Sequence, residues 1–181
     1  MGQPGSTMQL TRAADYAVRV MIHLATIPVG ERSLLPELAR ATGAPASFLS
    51  KVLQELCRAG LIASRRGQSG GFEALPTGRQ ASMRQVIEAI DGPIYLNLCL
   101  MSGASCRRKS SCPAHPAWVK AQEAMLAILD TTMIPDLAAQ AAASAVPGAA
   151  AQPAPSRQKA ASKAKPARRL LNGAKKLVPA T

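Results

Sequence analysis

Three of the four cysteines of this 181-residue chain fall in one stretch, Cys99 to His115, which reads CLMSGASCRRKSSCPAH. Cys99, Cys106, Cys112 and His115 follow the spacing C-x6-C-x5-C-x2-H. Between the thiols lie Ser102, Gly103, Ser105, Arg107, Arg108, Lys109, Ser110 and Ser111. A polar loop of this kind has little apolar surface to offset the entropy of ordering it. A bound metal would supply what the core cannot, because thiolates on a short loop hold soft or borderline metals. The C-x2-C pairs usual at structural zinc sites are absent, which favours an iron–sulfur cluster over zinc. The plainer alternatives are free thiols or disulfides. Disulfide frameworks belong to secreted chains, and residues 1–30 lack a basic start, an unbroken apolar run and a small-residue cleavage site.

The elements ahead of this loop look built to carry it to DNA. Residues 11–26 predict an amphipathic helix capped by Thr11. Ala13, Ala17, Val20, Met21 and Leu24 recur at helical spacing, and Asp15 and Arg19 stand four apart. Pro36 suits the first turn of a second helix that runs to Thr42 and stops at Gly43. A third follows Pro45, from about Ala46 to Ala59, with Phe48 or Leu49, Val52, Leu53 and Leu56 as its buried stripe. Two short helices about a glycine turn form a helix-turn-helix, whose second helix enters the major groove. Its exposed N-terminal residues would be Ser47, Ser50, Lys51 and Gln54, each able to meet a base edge or a phosphate. A helical hairpin with no DNA role is the alternative.

Leu61–Ala63 and Phe72–Leu75 are short apolar runs around a glycine-rich turn, which predicts a β-hairpin. Arg65 and Arg66 lie at the base of its tip, so the whole reads as a winged helix whose wing presents cations to DNA. The turn is not a P-loop, since it lacks the Gly-Lys-Ser/Thr ending and a following helix.

Ser82 caps a short helix over 82–91, with Met83, Val86, Ile87 and Ile90 turned inward, and Gly92-Pro93 ends it. Residues 116–132 predict a long helix. Its stripe of Trp118, Ala121, Met125, Ile128 and Leu129 is too wide for a lone surface helix. The expectation is a homodimer interface, with packing on the first helix as the alternative. Cys57 reads as core.

The formal charge is +12, and residues 141–181 hold eight basic residues and no acidic one, so two thirds of the excess lies there. That Ala-, Pro-, Ser- and Lys-rich segment has no aromatic residue and predicts a disordered, histone-like basic tail that binds DNA without reading sequence. Residues 1–7 read as a disordered leader; the match of MGQPGS to a myristoylation pattern is short and carries little weight. No apolar run is long enough to span a membrane.

In this order the pieces resemble the iron–sulfur transcription regulators of the Rrf family. The matching stretches are MQLTRAADYAVRVMIHLA, LPELARATGAPASFLSKVLQELCRAGLI, RRGQSGGF and CPAHPAWVKAQEAML, within about residues 8–140. The resemblance implies a mainly α fold with a small β wing. It comprises a leader (1–7), a winged helix-turn-helix DNA-binding domain (8–80), a cluster loop with dimerisation helix (81–140) and the tail (141–181). It implies a cytoplasmic, nucleoid-associated bacterial homodimer that is not an enzyme and has no membrane partner. Its partner is a double-stranded DNA operator, read by Ser47, Ser50 and Lys51 with Arg65 or Arg66. One [2Fe–2S] or [4Fe–4S] cluster per subunit would sit on Cys99, Cys106 and Cys112, with His115 or Asp15 as fourth ligand, Asp15 acting from the partner chain. Family members of this kind are repressors that sense iron–sulfur status, redox state or nitric oxide. Where one member has a glutamate that tunes site choice, this chain has Ser50, so that member's operator preference does not carry over. A rival reading is a zinc-stabilised architectural DNA-binding protein that relies on the tail. A thiol enzyme with His115 as base lacks any substrate-site motif.

Overall fold

The computed structural model describes residues 10–67, 70–101 and 106–144; the leader, the wing tip at 68–69, the loop segment 102–105 and the tail from 145 lie outside them. The first helix, α1 (Arg12–Thr26), begins where Thr11 Oγ1 accepts from the Ala14 amide at 3.2 Å. Thr11 also donates through its amide and hydroxyl to Asp91, at 3.0 and 2.6 Å, which ties the start of α1 to a distant part of the chain. Ala14, Ala17, Val18, Val20, Met21 and Leu24 are buried, so α1 forms the spine of the core. The Ala25 carbonyl in its last turn, and those of Ile27 and Pro28 just beyond it, accept from the Arg79 guanidinium.

Two helices follow, α2 (Leu35–Thr42) and α3 (Ala46–Arg58), joined by a turn in which Gly43 has φ +69°. That left-handed conformation suits glycine and sets the angle between the helices. In α3 the buried residues are Leu49, Val52, Leu53 and Leu56, which resolves the open choice at its start: Leu49 points inward and Phe48 is exposed. Phe48 instead meets the edge of the Tyr16 ring at 5.7 Å.

The wing is an antiparallel pair, β1 (Ile62–Arg65) and β2 (Gly71–Ala74), in register Ile62 to Ala74 and Arg65 to Gly71. Ser33 exchanges both backbone hydrogen bonds with Phe72, at 3.0 and 2.9 Å, so the segment before α2 anchors the wing. After it comes a single-turn helix, α4 (Pro76–Arg79), which the sequence reading does not contain. Gly78 is packed so tightly there that a Cβ would lie 2.0 Å from the Leu61 carbonyl oxygen.

Helix α5 (Met83–Asp91) starts in a reciprocal cap between Ser82 and Gln85. Val86 and Ile87 are buried, and Met83 and Ile90 are partly so. A 3₁₀ turn over Leu98–Leu100 leads into the thiol loop, and α6 (His115–Thr131) leaves it. Last comes α7 (Ile134–Ser144), unforeseen in the sequence, which packs along α1 with Ile134 and Ala138 buried. The place on α1 considered for the long helix is thus held by α7 and α5, while α6 packs chiefly on α5.

Candidate functional site

Between α3 and the wing runs an open groove of about 730 Å³. Ser50, Gln54, Cys57 and Arg58 line it from the helix, and Ser64, Arg65 and Arg66 from the hairpin. Four of the six expected DNA contacts, Ser50, Gln54, Arg65 and Arg66, therefore share one concave surface. Ser47 and Lys51 are exposed on α3 outside the groove lining. Residues at three- and four-residue steps share a helix face, so Ser47, Lys51, Gln54 and Arg58 form one polar edge.

Ser50 Oγ donates to the Ala46 carbonyl at 3.0 Å, which leaves its lone pairs to accept from outside. The Arg65 side chain is 67% exposed, with Nε 3.8 Å from Glu73 Oε1, a long contact that leaves the charge open to a phosphate. Arg58 pairs with Glu55 on its own helix. The sequence reading omits Arg58 as a contact, although it stands four residues beyond Gln54 and helical spacing places it there. Cys57 has two sides: it packs against the core and also lines the groove. Burial pushes its thiol pKa up, against a smaller opposing effect of the Ser64 hydroxyl, so the thiol stays protonated.

At the other site, Cys99 and Cys112 are half-buried and Cys106 is exposed, and all three are free thiols. The loop turns tightly, with the Lys109 amide donating to the Cys106 carbonyl and the His115 amide to the Cys112 carbonyl, both at 3.1 Å. His115 is the first residue of α6, and its Nδ1 is buried with no hydrogen-bond partner among the described residues. A buried nitrogen without a partner is costly, and a metal is one way to satisfy it. The donor chemistry thus fits a thiolate-bound group. The geometry does not pre-assemble it: among the described residues, no three His, Cys, Asp or Glu side chains are gathered where one ion could be held. Asp15, the other candidate ligand, sits exposed in the first turn of α1 and pairs with Arg19 at 2.9 Å.

On α6 no residue is fully buried. Of the expected interface stripe, Trp118 is 41% and Ile128 66% exposed, Ala121 is exposed, and Met125 is half-buried. Leu129 alone of the five packs against the core.

A family model described as an iron-dependent transcriptional regulator, Rrf2, matches residues 10–140. Over 131 residues the chain is 31% identical to an HTH-type transcriptional regulator of Mycobacterium tuberculosis, covering 72% of this chain and 81% of that one. Among solved structures it resembles CymR, the global cysteine regulator of B. subtilis, with TM-score 0.59 and 22% identity over 74% of this chain and 98% of that one. It also resembles the IscR of T. potens, with TM-score 0.58 and 22% identity over 77% of this chain and 93% of that one.

Proposed function

The chain belongs to the Rrf2 family of DNA-binding transcriptional regulators, and from that premise we propose a homodimeric repressor whose grip on its operator is set by the state of an iron–sulfur cluster. The family's members are regulators rather than enzymes, and they are dimeric. Among the described residues no helix is long and apolar enough to cross a membrane. The setting of this reading is the bacterial cytoplasm, at chromosomal DNA.

The observation that carries it is the shared groove: Ser50 and Gln54 on α3 face the same space as Arg65 and Arg66 on the wing. Helix side chains there meet base edges, while the wing cations meet phosphates or a narrow minor groove. Ser47 and Lys51 extend the helix edge toward the backbone. Two such heads on one dimer would read two half-sites in an inverted repeat.

Cys99, Cys106 and Cys112 would hold the cluster, with His115 or the partner's Asp15 as the fourth ligand. When bound, such a group supplies iron–thiolate bonds that respond to oxygen, nitric oxide and iron supply. The chain's own residues do the rest. Two residues separate Cys112 from the start of α6 at His115, so any force that orders the loop also fixes the first turn of α6. The loop's other end joins α5 through the segment that begins at Gly92. A change in the loop is thus felt at both ends of the connection between the reading head and the dimer helix. Closing Cys99, Cys106 and Cys112 on one centre would tie both ends together, and releasing them would untie them, which is the pair of states that such a switch needs.

The test is anaerobic purification of the full chain with metal analysis and an absorbance spectrum. Iron with visible absorbance is expected, lost when Cys106 is replaced by alanine while the far-ultraviolet circular dichroism is unchanged. A colourless protein holding zinc, with little preference among DNA sequences, would replace this reading with the architectural one. A fully coloured Cys106→Ala variant would remove that thiol from the ligand set.

A further inference from the structure

Helix α6 is attached to the rest of the molecule mainly near its C-terminal end. There Leu129 meets the core, the Met83 amide donates to the Thr132 carbonyl at 2.8 Å, and Arg84 Nη1 donates to Asp130 Oδ2 at 2.8 Å. Higher up, the Leu96 amide donates to Gln122 Oε1 at 3.0 Å, and the helix packs on the 3₁₀ turn over Leu98–Leu100. The upper part carries the exposed Trp118 and touches only the segment around the 3₁₀ turn among the named elements, so its tilt against α5 is set at the end beside Arg84.

Arg84 does more at that end than pair with Asp130. Its Nε donates at 3.0 Å to Glu88 Oε1 on its own helix, and the same oxygen accepts from the Ile94 amide at 3.4 Å, at the start of the segment leading to the thiol loop. One guanidinium thus links α5, α6 and the approach to the loop. Arg84 and Glu88 are half-buried, at 31% and 28% exposed, while Asp130 is exposed at 48%, so the Arg84–Glu88 pair is the better held of the two and Asp130 is the more solvated end of the link. Helix α5 in turn packs against α3, the helix that lines the groove. Reader, α5 and α6 form one series.

We propose that Arg84 is a positioning residue that determines which half-site spacing the dimer accepts, by fixing the tilt of α6 against the reading head. This rests on the dimer reading above. The magnitude decides the matter. Trp118 lies about 18 Å along the helix from Asp130 at 1.5 Å per residue. A tilt of about 10° moves it by about 3 Å, close to the axial rise of one base pair, roughly 3.4 Å. A small loosening at Arg84 therefore changes the register of the second head by a full step, with no base contact touched.

The test begins with duplexes selected from a random-sequence pool by the unmodified full-length protein. They are rebuilt with the half-sites moved one base pair closer or farther apart, and also as single half-sites. Arg84→Met keeps the aliphatic stem and removes the guanidinium; Asp130→Asn leaves the Arg84–Glu88 pair in place; Arg84→Lys restores the charge. The unmodified protein should lose affinity steeply at either altered spacing. Arg84→Met and Asp130→Asn should keep the dimer mass and the single-half-site affinity, bind the selected spacing about tenfold more weakly, and lose most of the discrimination between spacings. Arg84→Lys should recover part of it. Steep spacing preference retained by Arg84→Met would overturn the proposal; were that variant to misfold, the same result from Asp130→Asn would do so. A monomeric mass for the unmodified protein, or selection of single half-sites only, would overturn the dimer reading itself and this proposal with it.

Discussion

Helices α3 and α6 differ in where their apolar residues go. In α3 Leu49, Val52, Leu53 and Leu56 are all buried within the chain. In α6, four residues longer, none is, and Trp118 and Ile128 face outward. A helix earns its stability by burying a face, since propensity alone leaves it marginal in water. The winged body satisfies that requirement alone. The upper part of α6 does not, and we read its open stripe as the place of a second copy. On that reading the molecule separates into a part that folds for itself and a part that would be finished by association.

The largest test of that contrast is at Gly78. A methyl group there would stand 2.0 Å from the Leu61 carbonyl and 2.8 Å from Met21 Cε, and the backbone oxygen cannot yield as a side-chain end can. Gly78→Ala should cost about 3–5 kcal/mol and lower the melting temperature by well over ten degrees, or prevent folding. A thermal melt checks it; an unchanged melting temperature would show that the packing of α4 is not what joins the wing to the core.

The complementary test is on α6. Replacing Trp118 and Ile128 together by aspartate should weaken self-association by about two orders of magnitude or more, since buried aromatic anchors dominate such interfaces. The body should melt almost as before, because neither residue contributes to its core. Sedimentation gives the mass and circular dichroism the melt. A dimer that survives both changes would move the interface elsewhere and leave the stripe unexplained.

Much of this contrast is legible before any coordinates. The 3.6-residue pattern from Leu49 to Leu56, Gly43 and the Ser82 cap each announce a local conformation through one or two residues, and each is found as expected, with Gln85 completing the cap at Ser82 as an addition. Phe48 against Leu49 is not decided by pattern, because adjacent apolar residues fit the same stripe; the Tyr16 ring decides it. Helix α4 is too short for periodicity to register, and α7 is hidden because LAAQAAAS carries small residues that give weak contrast between faces. Its role on α1 is a tertiary fact. The loop is the opposite case. Its residue types announce thiol chemistry plainly, but the spacing of Cys99, Cys106 and Cys112 along the chain says nothing of their spacing in space.

Within the groove, the reading surfaces can be separated in turn. Lys51→Ala and Arg66→Ala should each weaken binding by about tenfold and nearly equally across DNA sequences, reducing the slope of log affinity against log salt by about one. Gln54→Ala should instead relax the preference at one position, by about 1–3 kcal/mol for the lost base contact, with little change in that slope. Fluorescence anisotropy on a salt series distinguishes the two patterns. A uniform loss at Gln54 would make it a backbone contact and place sequence reading elsewhere on α3.

The smallest expected effect concerns acid. His23 lies half-buried on α1, with Nε2 3.4 Å from Ser33 Oγ, and Ser33 donates to Glu37 Oε2 at 3.1 Å. Burial lowers the His23 pKa, and the nearby Glu37 charge only partly opposes this. The unfolded chain therefore takes up a proton there more readily than the folded one. Stability from this group is complete above its ordinary pKa, near 6.5, and is lost as pH falls below it toward the folded value. Glu37 pushes the same way. Its pKa is lowered by the Leu34 amide and then by the Ser33 hydroxyl, so its contribution is present above the ordinary carboxylate range and fades as acid protonates it. The two together predict a decline in two steps: a first as pH falls below about 6.5, from His23, and a second below about pH 4.5, from Glu37. Since Ser33 carries the backbone bonds to Phe72, the wing anchor should loosen with the first step. His23→Gln should flatten the first step and leave the second. Melting temperatures measured from pH 4 to 7.5 decide it: a first step that persists in His23→Gln would have to come from another group.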